Sequence, residues 1–431
     1  RDPIRERRQA LAFGKVGEVS LAARERPAVG RIAGPEGPLG TADPIPVASS
    51  VEPMGADQLL MVAGEVSGDS HGADLLAALR RRRPTLEAFG MGGSELRRAG
   101  LDVVARSSDI SVVGLVEALR VVPRAHRITR RLLAEVERRR PTVAELIDSP
   151  DFNLRLAAQL ARRGVVVADC VSPQVWAWRS GRVATIARHV KRMLVLFGFE
   201  REWYAARGVD AVHVGHPLVD RVPHDLPRAW DRREADPETY RVALLPGSRP
   251  SEVRMLLPLM LASAERLAAR FRVELQIIRA PDLSDDLFAD SVSRSGLPAR
   301  IVRQDRASAI ADSHLALCAS GTATLEVGML GTPMVVVYRV KRWSYWLGRL
   351  VIRVPYISLV NLVLGTAAVP ELVQDEASPE AVAAAGATLL TDRSARDAQR
   401  SLLRRIRAEL GEPGGAEKAA AEVLAVIGDA P

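Results

Sequence analysis

Residues 243–249 read Ala-Leu-Leu-Pro-Gly-Ser-Arg, and residues 317–326 read Leu-Cys-Ala-Ser-Gly-Thr-Ala-Thr-Leu-Glu. In both, an apolar run stops at small residues and then opens into a helical pattern, which predicts a strand, a tight loop and a helix N-terminus. Such a terminus leaves backbone N–H groups unpaired and carries partial positive charge, so it suits a phosphate. Two such turns in one half of the chain predict a nucleotide diphosphate site, with Arg249 at the mouth of the first and Glu326 one turn into the second helix.

The same alternation of apolar runs and helical patterns extends along the chain from Leu59. It predicts parallel sheets covered by helices on both faces, which is an α/β fold. A proline-bearing break over residues 219–236 separates two such units. Ligands of open parallel sheets bind beyond the carboxyl ends of the strands, where the motifs of this sequence lie. The runs that we interpret as strands are residues 59–63, 143–147, 165–168, 193–197, 242–245, 273–278, 314–318 and 334–338.

Composition narrows the class of partner. The 431 residues carry a net charge of +8, which favours a phosphorylated substrate, an anionic membrane surface or nucleic acid, although a genome that prefers arginine explains the bias equally well. Cys170 and Cys318 have no metal-ligand spacing and suggest no disulfide framework, so a reduced cytosolic compartment fits. The uncharged stretches are shorter than a membrane span, and no signal peptide is visible.

The predicted organisation has four parts. Residues 1–53 are rich in Arg, Glu, Gly and Pro without periodicity, and we interpret them as a disordered or non-native leader before a natural start at Met54; a functional basic arm is the alternative. Residues 54–222 form an N-terminal Rossmann-like domain and residues 223–395 a second one. Residues 396–431 form C-terminal helices that could pack back on the first domain.

The first predicted loop reads Gly-Glu-Val-Ser-Gly-Asp over residues 64–69. Its glycines would let a substrate approach the backbone, which makes Ser67, Gly68 and Asp69 candidate site residues. The spacing does not match the dinucleotide fingerprint, so it does not indicate NAD. The structural alternative is a tight strand-to-helix turn with Asp69 as a helix cap.

Two carboxylates follow the strand at residues 143–147. A carboxylate at that position, partly desolvated by Pro150 and Phe152, can act as a general base. Asp151 is the better helix cap, because it directly precedes a helical run, so Asp148 is the predicted base.

Aromatic and basic residues are concentrated in two further segments. Trp176, within residues 171–179, could line a pocket, form a core platform or stack on nucleic acid, whereas a lone His216 more often makes a structural hydrogen bond. The segment 338–353 suits the headgroup layer of an anionic bilayer, with an amphipathic helix packed on the sheet as the alternative. Its candidate membrane residues are Lys341, Arg342, Trp343, Trp346, Arg349 and Arg353.

Together these motifs resemble the lipid-A-disaccharide synthases, a family of inverting glycosyltransferases. The resemblance extends over about residues 57–425. The chain departs from the family pattern at residues 142–147, where Glu145 enters a strand expected to be buried, and the 53-residue leader has no family counterpart. The motifs that carry the resemblance are, in order, residues 62–69, 113–117, 147–153, 171–179, 215–217, 244–249, 319–326 and 358–361.

The resemblance implies a GT-B fold, in which two Rossmann-like domains face each other across a central cleft. It implies UDP-2,3-diacylglucosamine as donor, 2,3-diacylglucosamine 1-phosphate as acceptor, and a β-1,6-linked tetraacyl disaccharide 1-phosphate and UDP as products, in lipid A and lipopolysaccharide biosynthesis. No cofactor and no metal are expected, because no acidic metal-binding pair is evident. The acyl chains would keep the enzyme on the anionic inner face of the bacterial inner membrane, in the cytoplasm, and a homodimer is conceivable.

The resemblance also assigns roles, with Asp148 as the proton acceptor. Arg249 would contact the donor diphosphate and Glu326 the ribose. The other predicted donor-binding residues are Gly247, Ser248, Ser320, Gly321, Thr322 and Asn361, and the predicted acceptor or cleft residues are Ser67, Gly68, Asp69, Glu117, Trp176 and His216.

Two other classes of function stay open at this point. One is a different GT-B enzyme that shares the nucleotide, such as a peptidoglycan glucosaminyltransferase or a UDP-sugar epimerase. The other is a basic nucleic-acid-binding protein, although the sequence has no recognisable nucleic-acid motif and only 4% aromatic residues.

Overall fold

The computed structural model describes residues 58–109, 115–177, 180–226, 228–231, 237–281, 283–341, 345 and 354–428. Within helices, the side chains of residues 66, 115–121 and 180 are not described. Two parallel sheets organise this part of the chain, one of seven strands and one of six. The predicted α/β fold with two parallel sheets is therefore confirmed. The predicted leader, residues 1–53, lies outside the described residues.

The first sheet has the strand order β3-β2-β1-β4-β5-β6-β7. Its central strands are buried on both faces; Val143 to Ile147, for example, are all buried. This is why the sequence reads as continuous apolar runs rather than as alternation. The strands are β1 (Gln58–Ala63), β2 (Glu87–Gly92), β3 (Asp102–Arg106), β4 (Val143–Ile147), β5 (Val166–Cys170), β6 (Arg192–Val195) and β7 (Ala211–His213).

Helices alternate with these strands along the chain, as in a doubly wound sheet. They are α1 (Val66–Arg82), α2 (Ser94–Arg98), α3 (Leu115–Arg139), α4 (Pro150–Ala161), α5 (Val183–His189), α6 (Gly198–Ala205) and α7 (Leu218–Arg221).

The second sheet repeats the scheme with the order β10-β9-β8-β11-β12-β13. Its strands are β8 (Tyr240–Leu245), β9 (Val273–Ile278), β10 (Ala299–Val302), β11 (Leu315–Ala319), β12 (Met334–Tyr338) and β13 (Glu371–Val373). Its helices are α8 (Pro250–Ala268), α9 (Asp286–Ser295), α10 (Arg306–Ala311), α11 (Ala323–Leu330) and α12 (Leu359–Leu364).

The strand order reverses between β1 and β4 in the first sheet and between β8 and β11 in the second. At such a point the connections leave in opposite directions and open a crevice beyond the carboxyl ends of the strands. The four turns that follow β1, β4, β8 and β11 therefore flank the two crevices, and all four carry motifs singled out from the sequence.

Four helices close the chain: α13 (Pro379–Thr391), α14 (Arg393–Leu403), α15 (Ile406–Leu410) and α16 (Gly415–Gly428). The last one packs against α1, where Arg81 and Arg82 both contact the Glu417 carboxylate, at 2.6 and 2.9 Å. Farther along, Glu422 accepts a hydrogen bond of 2.9 Å from Arg192 on β6. Helix α16 thus contributes cover to the first sheet, while the predicted domain boundaries stay a prediction.

In the described part of the chain, no helix has both the length and the apolar character needed to cross a bilayer.

Candidate functional site

Asp148 lies directly after β4, in a strained turn. Its φ is 50° and that of Ser149 is 67°, so two consecutive residues with side chains adopt the left-handed region. The Asp148 carboxylate accepts hydrogen bonds from the Ser67 hydroxyl at 2.7 Å and from the Ser149 backbone N–H at 2.8 Å. Non-glycine residues in this region persist only where their surroundings hold them, and they concentrate at functional sites.

The loop after β1 packs onto this turn. Gly68 is buried, and a Cβ added there would lie 3.1 Å from the Cβ of Asp148 and 3.1 Å from the Ile147 carbonyl oxygen. The glycine therefore allows helix α1 to approach the end of β4 closely enough for the Ser67 hydroxyl to reach Asp148. Ser67 and Gly68, two of the three residues predicted in this loop, thus lie beside the predicted base.

Two more carboxyl groups are buried in β4 and β5, close to Asp148. Glu145 is fully buried, and neither of its carboxyl oxygens has a hydrogen-bond partner among the described residues. Burial, followed by the nearby Asp169, raises the pKa of Glu145 well above its usual value. Burial, followed by Asp148, does the same for the pKa of Asp169. Their surroundings therefore favour the neutral form of both groups, which lowers the cost of burying an unpaired charge. The unusual Glu145 of this strand thus lies in surroundings that favour its neutral form.

Glu65 was not predicted as a site residue, although it lies in the first motif. Burial and the negative charge of Asp148 raise the pKa of its carboxyl, and the positive charge of Arg249 lowers it. Asp148 belongs to the first sheet and Arg249 to the second, so Glu65 lies within electrostatic reach of both lobes. The only sequence signal for it was its place between two glycines at the end of a strand.

Arg249 lies in the turn between β8 and α8, and its side chain is 68% exposed. Gly247 takes the positive φ in this turn, at 115°. The Glu252 carboxylate, one turn into α8, accepts hydrogen bonds from the backbone N–H groups of Ser248 and Arg249 at 3.0 and 3.2 Å. It also pairs with the Arg249 guanidinium at 2.8 Å. The predicted free amides of this turn are therefore occupied by a side chain of the protein.

The turn after β11 carries three predicted donor-binding residues. The Ser320 hydroxyl donates to the Ile357 carbonyl at 2.9 Å, which ties the turn to the segment before α12. Gly321 has a φ of 148°, and Thr322 is exposed at the N-terminus of α11. Within the described residues, the backbone N–H groups of Gly321 and Thr322 have no acceptor. This turn therefore presents open amides.

Glu326 lies on α11 with its side chain 16% exposed, 3.4 Å from the guanidinium of Arg306. Burial raises the pKa of Glu326, and Arg306 lowers it. Its carboxylate is thus turned toward Arg306 rather than toward the amides of its own helix.

Asn361 is buried, and its polar atoms are used within the protein. Its amide N–H2 group donates to the Val369 carbonyl and to the Glu371 carboxylate, both at 2.9 Å, and its amide oxygen accepts from the Val369 N–H at 2.9 Å. Glu371 also accepts from the backbone N–H of Ile357 at 2.9 Å. Asn361 therefore fixes the segment that holds Ser320, and the structure does not turn its side chain toward the predicted donor site.

Asp69 also has a structural environment. It is buried, and it accepts hydrogen bonds from the N–H groups of Gly93, Glu95 and Leu96 at 2.6, 2.9 and 3.2 Å. It thus caps α2, the next helix, rather than its own. The structure thus shows Asp69 as a helix cap, but of the helix after the one to which the alternative assigned it.

Trp176 donates its indole N–H to Glu200 at 2.9 Å and packs edge-on against Phe199, with the ring centroids 5.0 Å apart. Burial raises the pKa of Glu200 to about 7, against the lowering effect of the hydrogen bonds from Trp176 and Ser172. Trp176 is half-buried, so one edge of this aromatic cluster is open to solvent.

His216 is buried, and its Nδ1 accepts from the Leu218 N–H at 3.1 Å. Burial, followed by nearby His71, lowers the pKa of His216 to about 3. It is therefore neutral at physiological pH and makes the structural hydrogen bond expected of a lone histidine.

The remaining predicted residues are only partly described. Lys341 is exposed at the end of the segment that follows β12. Glu117 lies in α3, but its side chain is outside the described residues, as are Arg342, Trp343, Trp346, Arg349 and Arg353.

Comparison with known proteins gives independent evidence on the family of this chain. Residues 59–425 match the family model described as lipid-A-disaccharide synthetase. A protein named lipid-A-disaccharide synthase from Anaeromyxobacter dehalogenans is 45% identical over 378 residues, which covers 87% of this chain and 99% of the relative. One with the same name from Myxococcus xanthus is 43% identical over 374 residues, covering 86% of this chain and 97% of the relative.

Solved structures share the fold at low identity. MurG of Acinetobacter baumannii has a TM-score of 0.55 at 14% identity, over 86% of this chain and 99% of that one. The calicheamicin glycosyltransferase CalG4 has a TM-score of 0.54 at 16% identity, over 86% and 98%. A UDP-GlcNAc 2-epimerase from Neisseria meningitidis, solved with UDP-GlcNAc, has a TM-score of 0.52 at 10% identity, over 85% and 99%. The predicted GT-B architecture is thereby confirmed.

Proposed function

Because this chain belongs to the lipid-A-disaccharide synthase family, we propose that it condenses UDP-2,3-diacylglucosamine with 2,3-diacylglucosamine 1-phosphate. The products would be a β-1,6-linked tetraacyl disaccharide 1-phosphate and UDP. The family match and the identities above make the chain a glycosyltransferase of lipid A disaccharide synthesis, so the predicted family and enzyme class are confirmed. The particular substrates and the chemistry below are our proposal.

One observation carries the proposed mechanism. An acid and a cation each follow a strand at the switch point of one sheet, and the charges of both affect the pKa of Glu65. Asp148 follows β4 and Arg249 follows β8. A transfer that creates negative charge on one substrate while it removes a proton from the other needs these two groups on opposite sides of the reacting carbon.

The proposed step is a direct displacement. The acceptor 6-hydroxyl oxygen attacks the anomeric carbon of the donor while Asp148 takes its proton. The bond between the anomeric carbon and the diphosphate oxygen breaks, and UDP leaves with that electron pair. Attack in line with the leaving group inverts the anomeric centre.

The first sheet would orient the base. The Ser67 hydroxyl and the Ser149 N–H both donate to the Asp148 carboxylate, which fixes the direction of its remaining lone pairs. The left-handed backbone at Asp148 and Ser149 aims the side chain out of the turn.

The second sheet would hold the donor. The open amides of Gly321 and Thr322 and the guanidinium of Arg249 are donors that suit the growing charge of the leaving diphosphate. Glu326 would accept from the ribose hydroxyls, in competition with Arg306. Ser320, tied to Ile357, would fix the register of this turn.

Metal independence, attachment to an anionic membrane at the cytoplasmic face and a homodimer stay predictions. Arg249 and the open amides can supply the charge stabilisation that other transferases obtain from a bound cation. Lys341, the first of the predicted membrane residues, is exposed.

The decisive experiment incubates the purified protein with the acylated UDP-sugar and the acylated sugar 1-phosphate in detergent, with detection of UDP and the lipid disaccharide by mass spectrometry. A parallel reaction uses UDP-N-acetylglucosamine, the non-acylated donor. Formation of the disaccharide only from the acylated donor is the expected result. Turnover or epimerisation of the non-acylated donor, without the lipid product, would favour another GT-B enzyme and overturn the proposal.

A further inference from the structure

The turn between β8 and α8 contains its own anion. One Glu252 carboxylate oxygen accepts from the N–H groups of Ser248 and Arg249 at 3.0 and 3.2 Å, and the other accepts from the Arg249 guanidinium at 2.8 Å. The Glu252 carboxylate is thus surrounded by two adjacent backbone amides and a guanidinium. These are the kinds of donor that bind a phosphate group.

The turn is shaped around this carboxylate. A Cβ added at Gly247 would lie 2.7 Å from the Cβ of Glu252 and overlap its carboxylate, so no larger residue fits while Glu252 is in place. The positive φ of 115° at Gly247 directs the following N–H groups inward. The close fit indicates a built position for the carboxylate rather than a chance surface contact.

The corresponding acid of the other donor turn behaves differently. Glu326 on α11 pairs with Arg306, and the amides of Gly321 and Thr322 have no acceptor among the described residues. A diphosphate between the two turns would meet open donors on one side and donors already used by Glu252 on the other.

We propose that Glu252 stands in for a donor phosphate in the free enzyme, and that the donor diphosphate displaces it from Ser248 and Arg249. The inference rests on the proposed function, because it assumes that this turn receives the diphosphate. Two like charges cannot share one set of donors without a cost, so Glu252 lowers the affinity for the diphosphate and releases it more readily after transfer. The Glu252 side chain is 32% exposed and can rotate into solvent.

The test measures UDP and uridine binding by calorimetry, without added metal, for the wild type, Glu252→Gln and Asp392→Asn. Glutamine keeps an oxygen for the same capping bonds and removes the charge. Asp392 is the matched control, since its carboxylate caps α14 at 3.1 Å from the Ala395 N–H. We expect Glu252→Gln to lower the Kd for UDP about fivefold or more, leaving uridine binding unchanged, because only UDP carries phosphates. The control should match the wild type with both ligands.

If Glu252→Gln binds UDP as the wild type does, the charge of Glu252 does not oppose the diphosphate. If it binds UDP more weakly, the carboxylate only holds the turn in shape. Either result would overturn the inference. Absence of UDP binding in the wild type and both variants would instead overturn the proposed function. If Glu252→Gln does not fold, a structure of the wild type with UDP decides. The expected result is a phosphate oxygen within hydrogen-bonding distance of the Ser248 and Arg249 amides, and retention of the Glu252 bonds contradicts it.

Discussion

The turns after β4 and β8 have the same layout but use their residues differently. In each, a strand whose last residues are buried runs into a short loop, and a proline begins the helix, Pro150 in one and Pro250 in the other. In the second sheet the positive φ falls on Gly247, where it costs little. In the first sheet it falls on Asp148 and Ser149, which pay about 1–2 kcal/mol each for that conformation.

This difference separates two ways of building a site. After β8, a relaxed backbone presents an exposed cation, and the geometry of the turn itself supplies donors. After β4, a strained backbone holds one acid in one direction, and a serine from a neighbouring helix keeps it there. The strained position is the one whose side chain must be aimed, which is what the proposed base requires.

The strongest way to break this comparison is Asp148→Asn. Asparagine tolerates the left-handed region and can keep the bond from the Ser149 N–H, so the fold should persist. Loss of the proton acceptor should lower kcat about 1,000-fold. UDP release in a coupled assay measures the rate, and thermal unfolding checks the fold. Asp151→Asn, which removes a carboxylate paired with Arg182 in the same turn, should stay near the wild-type rate. Comparable losses in both variants would assign the effect to the turn rather than to the base.

Glycine substitutions sharpen the comparison on the donor side. Gly247→Ala should lower the free energy of unfolding by about 3 kcal/mol, because it adds both backbone strain and a clash with Glu252. Gly321→Ala has a similarly unusual φ but no atom within 4 Å of the added Cβ, so about 1 kcal/mol is expected. Urea denaturation of the two variants measures the difference. Equal losses would mean that Glu252 does not lie against Gly247 in solution.

Arg249→Ala should weaken UDP binding about 30-fold, which corresponds to about 2 kcal/mol for charge-assisted hydrogen bonds to a phosphate. Arg254→Ala, an exposed arginine one turn farther along α8, is the matched control and should bind UDP like the wild type. Calorimetric titration gives both values. If the two variants lose affinity equally, Arg249 acts through general charge rather than through contact.

The smallest effect concerns pH and the acids of the first lobe. Burial raises the pKa of Glu200 to about 7, above its ordinary 4.5, so the folded state holds a proton that the unfolded chain has lost. Its stabilising contribution is therefore present at low pH and is lost as pH rises through about 7. The loss between about pH 6 and pH 8 should be about 1 kcal/mol.

Glu200→Gln removes this pH-dependent contribution to stability, so the difference in Tm between variant and wild type should change with pH. Taking the difference cancels the opposite contribution of His216, whose pKa of about 3 makes the fold less stable as pH falls below 6.5. Glu202→Gln, an exposed neighbour on α6, should show no such change. A pH-independent difference for Glu200→Gln would mean that the Glu200 carboxyl is ionised throughout.

Several strands could be predicted because they are short, mostly apolar segments rich in β-branched residues. Residues 143–147, 273–278 and 334–338 match β4, β9 and β12 without an offset. Strand β2 was missed because its sequence, Glu-Ala-Phe-Gly-Met-Gly, contains two glycines, one of which packs against the backbone of β1. Strands β3, β7, β10 and β13 were also not identified; all four lie at sheet edges.

For the site, strand-end position identified Asp148 and Arg249, since topology alone brings such turns to the crevice. It could not tell an outward side chain from an inward one. Asn361 and Asp69 are polar residues of the kind found in binding sites. Both side chains instead accept hydrogen bonds from backbone N–H groups that become their neighbours only after folding. Glu252 was overlooked because its proposed role depends on its side chain reaching back to the N–H groups at the start of its own helix.

Helix α16 gives the order of synthesis a physical consequence. Its buried residues, Ala420, Val423 and Ile427, complete the cover of a sheet whose first strand begins at Gln58. A nascent chain therefore exposes apolar surface of its first lobe until α16 has been synthesised and has left the ribosome. Chaperone demand should consequently last until α16 has emerged, and a stop codon placed ahead of Gly415 should yield a protein that aggregates rather than one that merely works slowly.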